Sequence, residues 1–453
     1  MCSKTASHRV EHDLLGAVNV PVEAAYGAQT QRALQNFPLN GEKSFADYPE
    51  LLAAMLKIKK ATMLANERAG TITPDLSRAI MDAVDTLLAE LPADQFPVHS
   101  FHGGGGISFN MNVNEVVANY ANRDGFDQPF GSYSPIHPND HVNLNQSTND
   151  VFATACHFAI KNRWHDLDRE LGRLAESFSA LGDKWQHVQR ISRTCLQDAV
   201  EISFADFFSG YAGFCARARA RLTSATAELN HLCMGGTLVG RLVDVDPNYL
   251  QQLYPALQEV FGDQDIQRTE NFFDACQNLD DMVHVAQQLE LTARGLIKIA
   301  MDLRLISSGP ETGFGEITLP AVQPGSSAMP GKINPSVPEF MVQCSFQAIG
   351  RCHSAAMAID HGELDLNIWE SPVVINILDA MSCLAAGVRV LREKCIDGIE
   401  VNIEKNMRNI NALIPLMTRL KLAKGYSYAT RVFKEHDGDA ERIREHTQNI
   451  LGS

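Results

Sequence analysis

The sequence has no Cys-x-x-Cys pair, no Lys/Arg-rich run, no internal repeat and no low-complexity tract. It is short of positive charge: 39 Lys and Arg face 54 Asp and Glu, a formal net charge of −15. An acidic chain without a basic cluster is a poor partner for nucleic acid or an anionic membrane surface. No uninterrupted apolar run approaches the roughly 18 residues of a membrane span, so no membrane partner is expected. The N-terminus, MCSKTASHRVEHDLLG, lacks the apolar core of a secretory signal. The ten cysteines (Cys2, Cys156, Cys195, Cys215, Cys233, Cys276, Cys344, Cys352, Cys383, Cys395) are scattered. Several fall at apolar helical positions and read as reduced core residues of a cytoplasmic protein, which argues against a secreted or zinc-ribbon protein. What remains is an ordinary soluble balance, 45% hydrophobic and 21% charged over 453 residues, enough for two or three domains.

Strand signals are few, and the helical signal is long. Apolar residues recur at Ile160, Trp164, Leu167, Leu171, Leu174, Phe178, Leu181, Trp185 and Val188, an uninterrupted heptad seam. At about 1.5 Å per residue that seam spans roughly 42 Å. A second seam runs Phe208, Tyr211, Cys215, Ala218, Leu222, Ala225, Leu229, Leu232, and a third runs Met282, Ala286, Leu289, Ala293, Leu296, Ala300, Leu303. Weaker versions follow in Met341–Ala355 and Leu378–Cys395. Successive long helices, with small residues in the third seam, predict a mainly α fold built on an elongated antiparallel bundle that oligomerises. Shorter helices are expected at Leu51–Asn66, Leu76–Leu91 and Val113–Asn122. The expected organisation is an N-terminal helical domain (1–145), a long-helix bundle domain (146–398) and a small C-terminal helical domain (399–453).

Three polar segments interrupt the helices: His102–Asn112 with four consecutive glycines, His137–Asp150, and Gly325–Pro335 within a long aperiodic connection from about Ser307 to Asn334. Consecutive glycines turn tightly and bare their N–H groups. A connection this long is usually functional or disordered, and its turn chemistry and single lysine favour function. Each segment is expected to end at a helix start, with Asn112, Asn149-Asp150 and Asn334-Pro335 at the helix heads. Helix N-termini carry unpaired N–H donors and partial positive charge, so three of them point to a small polyanionic substrate, with Lys332 as a local cation.

Gly325-Ser-Ser-Ala-Met-Pro-Gly-Lys-Ile-Asn334 resembles the signature of the aspartase/fumarase superfamily. Tyr26-Gly-Ala-Gln-Thr30, Asn110-Met-Asn-Val-Asn-Glu115, Gln146-Ser-Thr-Asn-Asp150 and Leu196-Gln-Asp-Ala199 match in the same order. The resemblance runs from about Glu11 to about Ile410, and Leu196 and Pro335-Ser-Val-Pro-Glu339 look more like the aspartase branch. It implies a three-domain, mainly helical subunit, a homotetramer whose central helices form one bundle, and active sites composed of segments from three subunits. It implies no redox cofactor and no obligatory metal.

The chemistry implied is abstraction of a proton next to a carboxylate, followed by loss of an amine or hydroxyl from the neighbouring carbon. The cost of such a step lies in a dianionic aci-carboxylate intermediate, which needs fixed donors and a cation where the second charge develops. By resemblance Ser326 is the general base, and Lys332 and Asn334 hold the carboxylate that becomes the aci-acid. A serine must be made alkoxide-like by nearby donors to serve as a base. Gly325 and Gly331 would hinge a lid carrying Ser326, Ser327 and Met329. Ser108, Asn110, Ser147, Thr148, Asn149 and Thr194 match substrate-binding positions of the family, and His137 and Asn139 lie where fumarases have a second anion site.

Two departures fall where the leaving group is recognised. Cys195 stands in place of the family's histidine, which pairs with the glutamate matching Glu339, and Ile107 stands in place of a threonine. The tail, Arg419-Leu-Lys-Leu-Ala-Lys-Gly-Tyr426, also departs from the family's Asn-Pro stretch. A thiol is a weak donor, uncharged below its typical pKa of about 8.5, and an isoleucine opens the pocket to a bulkier or apolar group. Three readings stay open: a lyase that removes ammonia or a substituted amine from an aspartate-type succinate to give fumarate, a hydratase or C–O or C–S lyase of malate-like acids, and a non-catalytic structural descendant. The expected partner is a small dicarboxylate or amino-acid substrate.

Overall fold

A computed structural model describes residues 7–262 and 264–451, with Cys2 outside them. Among these residues the chain is mainly helical, with sheets of only two strands each. It opens with the antiparallel pair β1 (His8–Asp13) and β2 (Gly16–Pro21), then α1 (Ala28–Asn36), α2 (Pro49–Ala69), α3 (Pro74–Glu90) and α4 (Ile107–Phe126). The long helices α5 (Thr148–Trp185) and α6 (Phe204–Glu228) are joined by a hairpin of β3 (Gln189–Thr194) and β4 (Gln197–Ser203). Next come α7 (Pro247–Phe261), α8 (Phe272–Gln277), α9 (Asp280–Ile306), α10 (Ser336–Ala356) and α11 (Glu370–Lys394). Short helices α12 (Ile403–Ile410), α13 (Leu413–Lys424), α14 (Tyr426–Glu435) and α15 (Ala440–Leu451) complete it.

The described chain divides into two compact units, one of Met1–Asp166, Arg221–Glu290 and Ala348–Ser382, the other of Leu167–Ala220, Leu291–Gln347 and Cys383–Ser453. The dividing points fall inside α5, α6, α9, α10 and α11, so segment 146–398 is shared between the units, while 1–145 lies in the first and 399–453 in the second.

Stretches of the seams are buried in each unit. Leu167, Leu171, Leu174 and Phe178 of α5 are fully buried, and Phe178 meets Phe208 and Tyr211 of α6. The small residues of the third seam do what their size permits. A side chain on Gly295 of α9 would run into the ring of Phe214 on α6, so only glycine allows this approach. The Glu170 carboxylate on α5, 1% exposed, is surrounded by Arg173, Arg389 and Arg392. Two seams outrun their helices. α5 stops at Trp185 and α6 at Glu228, so Val188, Leu229 and Leu232 are buried beyond the helical turns. Strand pairing takes over at both points: Gln189 pairs with Ser203, and His231 pairs with Gln267.

The structure corrects several expectations in the first unit. α4 begins at Ile107, well before Val113, so Asn112 is inside the helix rather than at its head. The polar run Ser-Phe-Asn-Met-Asn disguised this turn. α4 is buried almost all round, and its asparagines serve as anchors: Asn112 donates to Gln95 O (2.9 Å), Asn119 to Ala25 O (2.6 Å) and Asn122 to Ile136 O (2.7 Å). α11 also carries a stretch of mean hydropathy 1.7, apolar enough to cross a membrane by length and composition, where the sequence reading found none. The stretch is 72% buried inside the fold, and a helix enclosed on all sides is apolar on all faces.

Candidate active site

In the first unit, the glycine segment, the 137–146 turn and the start of α5 meet around one cavity. Gly104, Gly105 and Gly106 all have left-handed φ (+95°, +61°, +81°), and a side chain on Gly106 would strike the ring of Phe152. Glycine is therefore required to turn the chain straight into α4. At the head of α5, Ser147 N donates to Asp150 Oδ1 (2.9 Å) and Asn149 N donates to Ser147 Oγ (3.3 Å), a reciprocal cap. Asp150 Oδ2 accepts from Gly235 N (3.0 Å) and Thr237 N (3.2 Å), which ties the 233–238 loop to the same helix end. Burial pushes the Asp150 carboxyl up to about 6.

Asn110 Nδ2 donates to Thr148 Oγ1 (2.9 Å) and to Asn143 Oδ1 (3.1 Å). The same Asn143 oxygen accepts from Lys59 Nζ (2.9 Å) and Asn114 Nδ2 (3.2 Å), and Lys59 also donates to Gln146 Oε1 (2.9 Å). Complete burial pulls the Lys59 amine down to about 7. Ile107, Asn110, Ser147 and Thr148 line a cavity of about 520 Å³ with Gln29, Asn143, Thr237 and Leu238. Asn110 Oδ1 and Thr237 Oγ1 are buried with no hydrogen-bond partner. An unpaired buried acceptor and a hydroxyl in a ligand-sized cavity are places for a substrate to bond. Asn149 turns away and donates to Leu238 O (2.6 Å), and Ser108 faces a neighbouring cavity that Ile107 also lines.

The Tyr26–Thr30 and Asn110–Glu115 motifs have a structural role. The buried Glu115 carboxylate accepts from Gly27 N (2.9 Å), Gln29 N (2.8 Å) and Thr30 N (3.1 Å), docking the start of α1 on α4 and aiming Gln29 at the cavity. Burial pushes the Glu115 carboxyl up to about 7. His137 and His141 are engaged locally: His137 Nδ1 accepts from Asn139 N (3.2 Å), and His141 Nδ1 accepts from His137 N (2.9 Å).

In the second unit, the loop between α9 and α10 carries the signature. Gly325 N donates to Lys332 O (2.8 Å) and Asn334 Nδ2 donates to Gly325 O (2.7 Å), so residues 326–333 leave and return through one point. A Cβ on Gly325 would sit 2.6 Å from Lys332 O. Gly325 is thus a pinch in the loop rather than a free hinge, while Gly331 takes the left-handed φ of +84°. α10 begins at Ser336, so Asn334 closes the loop and does not cap the helix. Of the three expected helix heads, the one at Asn149-Asp150 coincides with a helix start, α5 beginning at Thr148, and the Ser147 and Asn149 N–H groups there are engaged in the cap. Ser326 Oγ accepts from Ala328 N (3.1 Å) and Met329 N (3.0 Å). Ser326, Met329 and Lys332 line a cavity of about 480 Å³, and Ser327 is exposed.

Thr194 and Cys195 stand at the exposed tip of the β3–β4 hairpin. Thr194 pairs with Gln197, and Cys195 and Leu196 both have positive φ (+52°, +61°), a two-residue turn normally given to Asn and Gly. Such strain in non-glycine residues tends to mark functional positions. The hairpin is anchored below by the fully buried Glu316, which accepts from Arg190 Nη2 (2.8 Å) and pairs with Arg193. Glu339 pairs with Arg304 (3.3 Å) rather than with residue 195. Among the described residues no group of three His, Cys, Asp or Glu is placed to hold a metal ion. Sequence reasoning missed Lys59, Thr237 and Leu238 because nothing local distinguishes them; Gln29 sat in a recognised motif and Asn143 in the polar segment His137–Asp150, without being singled out there.

A family model described as Lyase matches residues 16–350. An aspartate ammonia-lyase from Bacillus sp is 36% identical over 437 residues, covering 96% of this chain and 92% of the relative. A class II fumarate hydratase from Prochlorococcus marinus is 36% identical over 425 residues, covering 94% and 90%. Among solved structures, a fumarate lyase:delta crystallin from Brucella melitensis, bound to cobalt, superposes with a TM-score of 0.94 at 38% identity over 99% of this chain and 96% of that one. A class II fumarase from Schistosoma mansoni gives 0.90 at 29% identity over 98% and 95%.

Proposed function

This chain belongs to the fumarase/aspartase superfamily of lyases, and on that footing we propose that it eliminates an amine from an aspartate-type succinate to give fumarate. The observation that carries the reading is the pair of backbone N–H groups, from Ala328 and Met329, aimed at Ser326 Oγ. Two such donors stabilise negative charge on that oxygen and favour the alkoxide a base must become. Ser326 then takes the proton from the carbon next to a carboxylate. Lys332 and Asn334 hold that carboxylate as it becomes the aci-acid, and the C–N electron pair leaves with the amine. Ser147, Thr148 and Asn110 bind the substrate's other polar groups. The acceptor left open at Asn110 Oδ1 suits the N–H of an amine. We further propose a cytoplasmic homotetramer whose sites combine segments of three subunits.

Hydration of fumarate is the second reading, supported by a fumarate hydratase at the same 36% identity as the Bacillus aspartate ammonia-lyase. The test is ultraviolet absorbance of fumarate, appearing or vanishing with aspartate, N-substituted aspartates, malate and S-substituted succinates. Turnover of the amino acids alone supports the amine reading. Turnover of malate alone replaces it with the hydratase.

A further inference from the structure

We propose that a second cavity, across Ile107 from the Asn110–Thr148 cluster, receives the amine substituent of the substrate, so that the preferred substrate is an N-substituted aspartate with a neutral, apolar group on nitrogen. This rests on the lyase reading and specifies its leaving group. The cavity measures about 420 Å³ and shares Gln29, Ile107 and Met111 with the 520 Å³ cavity. The two therefore have a common wall of three side chains, and Ile107 on that wall lies one helical turn of α4 before Asn110, the amide proposed to take the amine. Gly104 leaves room for it: the Ile107 Cγ2 lies 2.8 Å from where a Cβ at 104 would be, so a larger residue there would displace Ile107.

The remaining lining sets the chemistry. Leu14, Leu15, Ala33 and Phe37 are apolar, Leu14 and Leu15 being exposed on the single chain, and Asn36 and Ser108 are polar but uncharged. The one cation, Arg32, is spent on Asp13 through Nε (2.6 Å) and Nη2 (2.8 Å), and Nη2 also reaches Gly16 O (3.1 Å). That pair cancels its own charge, so the chamber offers no free ion to a phosphate or carboxylate on the substituent. An apolar group gains from burial there, and the volume is of the order that takes a small organic group. The step balances as before: the proton on carbon passes to Ser326, its electron pair becomes the new C=C bond, and the C–N pair leaves on nitrogen. The products are fumarate and a primary amine.

The test uses the intact protein with aspartate, N-methylaspartate and N-benzylaspartate, following fumarate release and, separately, binding by calorimetry. The parent should favour N-benzylaspartate over N-methylaspartate by roughly tenfold or more in kcat/KM. Asn36→Trp fills the chamber from an exposed position at the end of α1. It should lower the N-benzyl value by about tenfold and change the other two less than about twofold. Leu15→Asp, also exposed, should do the same by placing a charge there. A parent that prefers the smaller substrates, or variants that slow all three equally or none, overturns the proposal. Fumarate from none of the three, with N-benzyl binding that Asn36→Trp abolishes, sinks the lyase reading and keeps the chamber. No turnover and no binding sinks both.

Discussion

Lys59 Nζ lies fully buried, 2.9 Å from Asn143 Oδ1, and that oxygen in turn holds Asn110 and Asn114. Lys59 thus acts through Asn143 to fix the Asn110 amide, which lines the cavity. Lys59→Met keeps the length and apolar stem while deleting the donor. It should lower kcat/KM by about one order of magnitude, the value of a hydrogen bond to a charged group. A positioning role should show mainly in kcat/KM for the amine-bearing substrate, with the melting temperature within a few degrees of the parent. Unchanged kinetics would remove Lys59 from the site.

Ser326 sits in a loop that contributes little to the core. Ser326→Ala should abolish turnover while circular dichroism and sedimentation match the parent. Activity within a few-fold of the parent would exclude Ser326 as the base.

Glu370, at the start of α11, is buried with Oε2 unpartnered, and its carboxyl is pushed up to about 8 by that burial. Its folded state therefore holds a proton that an unfolded carboxyl, near 4.5, releases. The folded chain binds more protons between those values, so this group's contribution falls as pH rises from about 4.5 to 8. Glu370→Gln keeps the neutral shape and removes the titration. The gap in unfolding free energy between variant and parent should widen with pH, reaching a few kcal/mol in the variant's favour by pH ~8. Denaturant unfolding at three pH values checks this, and parallel curves would refute it.

Ile107→Thr should return a hydroxyl to the shared wall and raise kcat/KM for unsubstituted aspartate by about one to two decades, while lowering it for N-benzylaspartate. Adding Cys195→His should raise the aspartate value further, although Arg304 already holds Glu339. Steady-state kinetics on both singles and the double decide it. A parent already fast on aspartate would mean these residues do not set the leaving group.

Leu291, Met301 and Leu305 on α9, and Phe340 and Phe346 on α10, are exposed on the single chain. Large apolar side chains in such number mark a surface made to be covered. The protein should sediment as a tetramer, and Phe346→Asp should shift it to smaller, less active species. A stable, active monomer at micromolar concentration would contradict the shared-site proposal.

The heptad seams determined the long helices by themselves, because burying one stripe every 3.5 residues is satisfied by a single regular conformation. α9 covers its seam completely for that reason. The signature around Ser326 was legible too, since its glycines, proline and lone lysine have no use in a core. Only tertiary structure decided where α5 and α6 stop, because pairing at Gln189 and His231 involves residues distant in the chain. It also decided that Asn112 lies inside α4 and that Gly325 closes a loop rather than hinging one. Lys59 reads as one more lysine on an amphipathic helix until Asn143, 84 residues away, arrives above it. A local pattern records which face is apolar, and a buried polar group acquires its role only from the partners the fold delivers.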